Sequence, residues 1–492
     1  MKEALNSWWS VGLFFVLIAF TQSPVLNPDA LEMGLVGQAQ LGFMDKGDLA
    51  LSHYPPLYPV LTALLGVVTG PHVALIALNF ICMLGVVFLL QSIVKRVTNP
   101  PFLGLWVVFI GFSLAPMRWM TTTADPRALQ LFLILLGLFL LRREASSREV
   151  WALGFVSGGL VLCRPEGLLF AGLLLVGSWV LWRRVAVKSW GAFALIALPY
   201  WTWISLSVGS LSLSSRAWEL KGAPLLEILP VRPLIQLWGT GATSTPFREI
   251  LHDVEVIGSV PRSGVVEAIG ASIQALYAGC PLIVLVFAAL GACFLWSRQR
   301  FLLGMLSSLV AFSMALYLVP MGRDLALPLI NLLPGVVAIW ALAVCGALAC
   351  FERLDQRGLS RQLTLGLTLA GILCFAILGL SSEGWRMNLP QAGDSSAQAS
   401  AWLKNTLAED ERVASSLGSS AIVRRAGRRW ERVVSRWERP VLWEGEKAPD
   451  YLLFTSVDGD WMLGPPLFEP ERVFEPVAYF RDGQGWVMIL KI

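Results

Sequence analysis

Charge in this chain of 492 residues is confined to short bursts between long apolar stretches. The apolar runs occupy about 8–24, 72–94, 102–117, 126–141, 150–163, 166–182, 189–207, 270–297, 301–319, 328–350 and 362–380. Because a helix needs about 20 apolar residues to cross the hydrocarbon core, these runs predict about eleven transmembrane helices. The shorter ones require local thinning of the bilayer or support from neighbours. The stretch from Pro56 to Gly70 is apolar but short, and predicts a helix lying in the outer interface. After Ser382 the pattern changes. A helical Ala397 to Leu407 is followed by short apolar runs such as Tyr451–Phe454 and Trp486–Leu490, and Val477 to Ile492, broken by Asp482-Gly483-Gln484-Gly485, reads as a hairpin. The predicted fold is mainly α. A polytopic helix bundle over 1–382, with outer loops 25–71 and 208–269, is followed by a small extracytoplasmic α/β domain over 383–492.

Composition agrees with a membrane protein: 55% of residues are hydrophobic and 15% charged, too apolar for an ordinary soluble fold. The net charge of +4 is scattered in small clusters, which leaves no electrostatic footprint for a nucleic acid. The clusters report topology instead. The run after Trp8 has no small-residue cleavage pattern, so it reads as a retained first helix with a cytoplasmic N-terminus. Alternation then places Lys95/Arg96, Arg142/Arg143/Arg148, Arg183/Arg184/Lys188, Arg298/Arg300 and Arg353/Arg357/Arg361 on the cytoplasmic side, as the positive-inside rule requires. The loops with candidate chemistry, including a short turn from Arg118 to Asp125, all fall on the other side. Seven cysteines lie in or beside apolar runs without metal-ligand spacing and read as small core residues.

Asp29 follows Pro28 at the start of a short amphipathic helix, where a carboxylate caps the helix and is held in place as a base. Asp125 lies between Thr121-Thr122-Thr123-Ala124 and Pro126-Arg127. It is a helix cap with proline in the first turn, or an acid facing a cavity, since directing it into lipid costs on the order of 3 kcal/mol. Arg164-Pro165-Glu166-Gly167 interrupts an apolar stretch, and its arginine is either an interfacial anchor or an anion site. Arg323 is a second candidate of that kind. Hydrolase elbows, phosphate loops and zinc-protease motifs are absent, and with three histidines a histidine-built metal site is disfavoured. Carboxylates and arginines are the usable groups.

The arrangement resembles the GT-C superfamily of membrane glycosyltransferases, especially the branch of protein O-mannosyltransferases and lipid A aminoarabinose transferases. The residues that carry the likeness are Asp29 before an amphipathic helix, Gly47-Asp48, Pro55-Pro56-Leu57, Asp125 in the second outer loop, Arg164-Pro165-Glu166-Gly167, and Arg323 ahead of Pro328. The family branch usually has Asp-Glu in the first loop and a lysine before the diproline, whereas this chain has Asp29-Ala30 and His53-Tyr54. A Trp-Trp-Asp motif, associated with oligosaccharyl transfer, is absent. The resemblance implies a polyprenyl-phosphate-linked sugar as donor and a protein, lipid or polysaccharide acceptor, in a multi-pass protein of a bacterial inner membrane. It implies Asp29 as general base, Asp125 as its catalytic partner, Arg164 and Arg323 at the donor phosphate, and Glu32, Asp48, His53, Tyr54 and Arg127 around the acceptor or cavity. No metal or other cofactor is obligatory, although Asp29 and Asp125 are able in principle to share a divalent ion. A transporter or lipid flippase, and a noncatalytic scaffold, are the rival classes. The first would favour repeats and midplane polar sites, and neither is present in the sequence.

Overall fold

The computed structural model describes residues 55–98, 102–208, 280–321, 332–356, 361–381 and 394–408, with shorter stretches within 9–41 and 411–491. It divides into two compact units, one made of residues 1–24, 33–248 and 254–385 and the other of 25–32, 249–253 and 386–492.

The first unit is helical. Its helices are α1 (Leu57–Thr69), α2 (Pro71–Lys95), α3 (Leu103–Ser113), α4 (Ala115–Thr122), α5 (Pro126–Leu140), α6 (Ser147–Cys163), α7 (Gly167–Trp182), α8 (Val187–Val208), α9 (Leu282–Arg298), α10 (Arg300–Met321), α11 (Leu333–Gln356) and α12 (Arg361–Ser381). By length and composition three described segments can cross a membrane: Val73–Lys95, Gly167–Leu206 and Leu333–Leu354. The second of these is not one rod. A 3₁₀ turn, Arg183–Ala186, separates α7 from α8, and a tight basic turn of this kind joins two helices of a hairpin. Along the outside of the bundle large apolar side chains face outward, among them Val68, Val180, Leu195 and Leu373. A continuous apolar exterior of this kind is the surface a helix bundle presents to lipid.

Two predicted features change. The run over 102–117, read as one span, is two helices bent by 88° at Leu114. Pro116 explains the break. It has no N–H to give the Phe112 carbonyl, its i−4 partner in a continuous helix, so the helix restarts with proline in the first turn of α4. Arg118 donates from Nη1 to that same carbonyl at 2.8 Å and also to the Gly379 carbonyl near the end of α12. The stretch read as a turn, Arg118 to Asp125, is therefore mostly helix, and Arg118 is only 3% exposed.

α11 runs through the centre of the unit. Trp340 is fully buried, stacks on Phe14 and donates from Nε1 to the Val107 carbonyl at 2.9 Å. Direction along the bundle follows from contacts at the helix ends. Arg96, just past α2, lies over the Phe139 ring near the end of α5. Thr98 and Arg298 both reach Glu352 on α11. Arg142 pairs with Glu149. These basic clusters collect at one end of the bundle, and Asp125 and Arg164 start and end helices at the other.

The second unit holds helix α13 (Asp394–Thr406) and strands β1 (Arg412–Ser415), β2 (Arg429–Arg432), β3 (Tyr451–Thr455), β4 (Glu475–Arg481) and β5 (Trp486–Lys491). The sheet order is β2-β1-β3-β5-β4. β1 pairs in parallel with β2 and β3, while β5 pairs antiparallel with β3 and β4. Ala399, Leu403 and Leu407 recur at helical spacing and pack with Val413, Leu453, Val487 and Ile489, which come from strand faces of period two. That shared core joins helix to sheet.

Candidate functional site

Asp125 is built into the start of α5. Its backbone is extended at φ −154° and ψ 137°, Pro126 fills the first helical position, and the carboxylate accepts from the Arg127 backbone N–H at 2.8 Å. This is an N-cap, which satisfies one of the orphan donors of the helix and fixes the side chain. The second carboxylate oxygen accepts from Arg127 Nη1 at 2.9 Å. Asp125 is fully buried, so its charge is compensated by this arginine and by the helix N-terminus, where the macrodipole favours an anion. The site is a held carboxylate with a chosen orientation.

A second acid–arginine pair sits in the turn from α6 to α7. Arg164 donates from Nε to Glu166 Oε1, and the side chains are 11% and 17% exposed. The turn is closed by Gly167, whose N–H donates to the Arg164 carbonyl at 2.9 Å. A Cβ at Gly167 would overlap the Leu160 carbonyl, so only glycine allows α7 to start this close to α6. Burial alone would raise the Glu166 carboxyl. Arg164, and after it Arg127, hold it below its ordinary range instead. Arg127 therefore acts on both acids, and the turns before α5 and after α6 form one charged cluster. Cys163 Sγ, 3.5 Å from the Pro126 carbonyl, joins the same two turns.

Polar groups not singled out in the sequence surround this cluster. Asn79, from the middle of α2, donates to the Met120 and Thr121 carbonyls at 2.8 and 3.2 Å, and so holds the end of α4 just before Asp125. Tyr58, the second residue of α1, is fully buried within electrostatic reach of Asp125. Tyr58 Oη, Asn79 Oδ1 and Thr123 Oγ1 are buried without a hydrogen-bond partner among the described residues, as is Gln130 Nε2 on α5. Buried polar atoms without partners are costly, and those of Tyr58, Asn79 and Thr123 come from elements that meet the chain just before Asp125. A signal for Asn79 and Gln130 was present: each is an amide inside an apolar run, which Asn79 shares with Gln91 and Gln130 with no other amide. For Tyr58 and Thr123 there was none.

Of the predicted site residues, the structure brings together Asp125, Arg127 and Arg164. Asp29, Glu32, Asp48, His53, Tyr54 and Arg323 lie outside the described residues. Gly37, from the segment following Asp29, packs against the Pro59 carbonyl of α1, one residue from Tyr58. Among the described residues no three His, Cys, Asp or Glu side chains group as metal ligands.

No protein-family model matches the chain, and no curated protein sequence matches it. Solved structures do. ArnT of Cupriavidus metallidurans bound to undecaprenyl phosphate superposes with a TM-score of 0.54 at 12% identity, covering 98% of this chain and 97% of that one. The apo form of the same protein aligns at 13% identity over 99% of this chain and 98% of that one, with a TM-score of 0.46. An alignment over nearly both full lengths concerns the whole architecture and not one module. By fold, this chain is similar to ArnT over nearly the whole length of both chains.

Proposed function

We propose that the chain is a membrane glycosyltransferase that moves a sugar from a polyprenyl phosphate to an acceptor hydroxyl by single displacement with inversion. The observation that carries this reading is Asp125, a buried carboxylate oriented by its own helix cap and Arg127, with a second acid–arginine pair beside it. The undecaprenyl phosphate bound to the ArnT neighbour supports a lipid-phosphate donor.

In the proposed step the acceptor oxygen attacks the anomeric carbon as the bond from that carbon to the phosphate oxygen breaks. The bonding pair leaves with the lipid phosphate, and Asp29 takes the acceptor proton. Asp125 orients the acceptor or Asp29. The leaving phosphate keeps its negative charge, and Arg164 and Arg323 are its proposed stabilisers. Glu166 sets the direction of the Arg164 guanidinium through Nε. Tyr58, Asn79 and Thr123 supply the neutral donors and acceptors that a hydroxyl-rich sugar requires. Glu32, Asp48, His53, Tyr54 and Arg127 are proposed for the acceptor side.

The same reading takes the apolar segments as about eleven spans of a bacterial inner membrane, with a cytoplasmic N-terminus and residues 383–492 as an extracytoplasmic α/β domain. Three described segments reach spanning length, and the apolar helices α1, α5 and α9, together with segments of α10 and α12, are shorter. Grouping of the described basic clusters at the end opposite Asp125 supports this topology.

The test is mass spectrometry of polyprenyl-linked sugars and surface glycans in host cells lacking the protein, complemented with wild type, Asp125→Asn or Asp29→Asn. Asparagine still caps a helix, so Asp125→Asn should insert normally. The expected result is accumulation of one polyprenyl-phosphate sugar and loss of one glycan modification with either variant. Equal restoration by wild type and both variants would move transport or scaffolding ahead.

A further inference from the structure

The end of the bundle opposite Asp125 carries a cluster of its own. One connection, from α5 to α6, holds Arg142, Arg143 and Arg148; the other, from α7 to α8, holds Arg183, Arg184 and Lys188. The two are tied together. Trp182 Nε1 donates to the Arg142 carbonyl at 2.7 Å, and Lys188 Nζ donates to Ser147 Oγ at 3.1 Å. Six exposed cations from distant parts of the sequence thus share one face, against only Glu144 and Glu149.

Those acids do not neutralise it. Glu149 is engaged by Arg142 and by the capping box at Ser146. Arg143, Arg148, Arg183 and Arg184 pair with no carboxylate among the described residues. Arg183 also sits at φ 48°, a conformation in which a glycine would be unstrained. Apolar surface borders the cations: Val187 is 60% and Trp190 41% exposed, and half-buried Trp182 lies between the two connections. Tryptophan beside arginine is the composition of a headgroup layer, where rings anchor at the interface and guanidinium binds phosphate through two N–H donors.

We propose that this face is a binding site for the anionic phospholipid headgroups of the bilayer. A nucleic acid or a free phosphate would have no use for the exposed valines and tryptophan; a phospholipid contacts them with its acyl chains. The site lies at the far ends of α5 and α7 from Asp125 and Arg164, about 22 Å away along the fifteen residues of α5, so it is separate from the proposed chemistry. It holds whether or not the chain transfers a sugar.

Native mass spectrometry of the purified full chain in nonionic detergent, titrated with dioleoyl phosphatidylglycerol, dioleoyl phosphatidylcholine or inorganic phosphate, tests it. Phosphatidylglycerol should be retained at least tenfold better than phosphatidylcholine, and equimolar inorganic phosphate should not displace it. Arg183→Gln/Arg184→Gln/Lys188→Gln should weaken phosphatidylglycerol binding on the order of a hundredfold, about fivefold for each cation removed. Arg183→Lys/Arg184→Lys keeps the charges without the two-donor guanidinium and should bind between wild type and the glutamine variant. Equal retention of the two lipids, displacement by phosphate, or unchanged binding by the glutamine variant would overturn the proposal. If the glutamine variant fails to assemble, the wild-type comparison of the three ligands still decides.

Discussion

At the scale of single residues, an acid in an apolar bundle is tolerable only where its charge is met, and the two acids here are met differently. Asp125 uses its own helix, taking a backbone N–H and the guanidinium two residues on. Glu166 relies on two arginines, one of them from another turn. Because Arg164 and Arg127 depress the Glu166 carboxyl against burial, its stabilisation is complete above the ordinary carboxylate value of 4.5 and is lost as pH falls through the depressed value. Glu166→Gln should therefore lower the thermal midpoint in detergent at pH 7, by about 1–3 kcal/mol in stability, and flatten the fall in midpoint as pH drops below the ordinary carboxylate value of 4.5. Parallel wild-type and variant curves would remove Glu166 as the titrating group. The cap at Asp125-Pro126 was legible in the sequence, since cap and proline at the first helical position are local rules. The electrostatic influence of Arg127 on Glu166 was not, because most of α5 and the whole of α6 separate the two.

At the scale of elements, the bent pair α3–α4 delivers Asp125, and side chains from distant helices hold it. Arg118 supplies the bond that Pro116 removes and ties the bend to α12, Trp340 fixes α3, and Asn79 fixes the end of α4. Arg118→Met would leave the Phe112 and Gly379 carbonyls without that donor. A destabilisation of about 2–4 kcal/mol is expected, read as a lower melting temperature in detergent, with Arg118→Lys recovering part of it. No change in melting would mean that the guanidinium does not hold the bend. An apolar run such as 102–117 looks the same whether its helix is continuous or broken, so it predicts one span where there are two helices. Pro116 was the available sign, but where the chain goes after a break depends on what receives the freed carbonyl.

At the scale of the whole molecule, the helices alternate so that the described basic clusters share one end and the acid–arginine cluster the other. Arg143→Cys, in a background where the exposed Cys293 is replaced, should react with a membrane-impermeant thiol reagent only after the cells are permeabilised. Labelling in intact cells would invert the topology and put the proposed chemistry in the cytoplasm. Hydrophobic pattern and charge bias were sufficient to read a mainly helical membrane protein and the helix cap at Asp125-Pro126, because helix period, spanning length and capping are properties of short windows of chain. Only the tertiary structure decided that Asp125 faces Arg127 beside Glu166, that Asn79 meets carbonyls 41 and 42 residues away, and that two basic connections form one face. Partner choice among buried polar groups depends on which helices pack together, and apolar helices of nearly uniform composition encode that packing in shape, through residues such as Gly167 and Pro116, and not in a readable pattern.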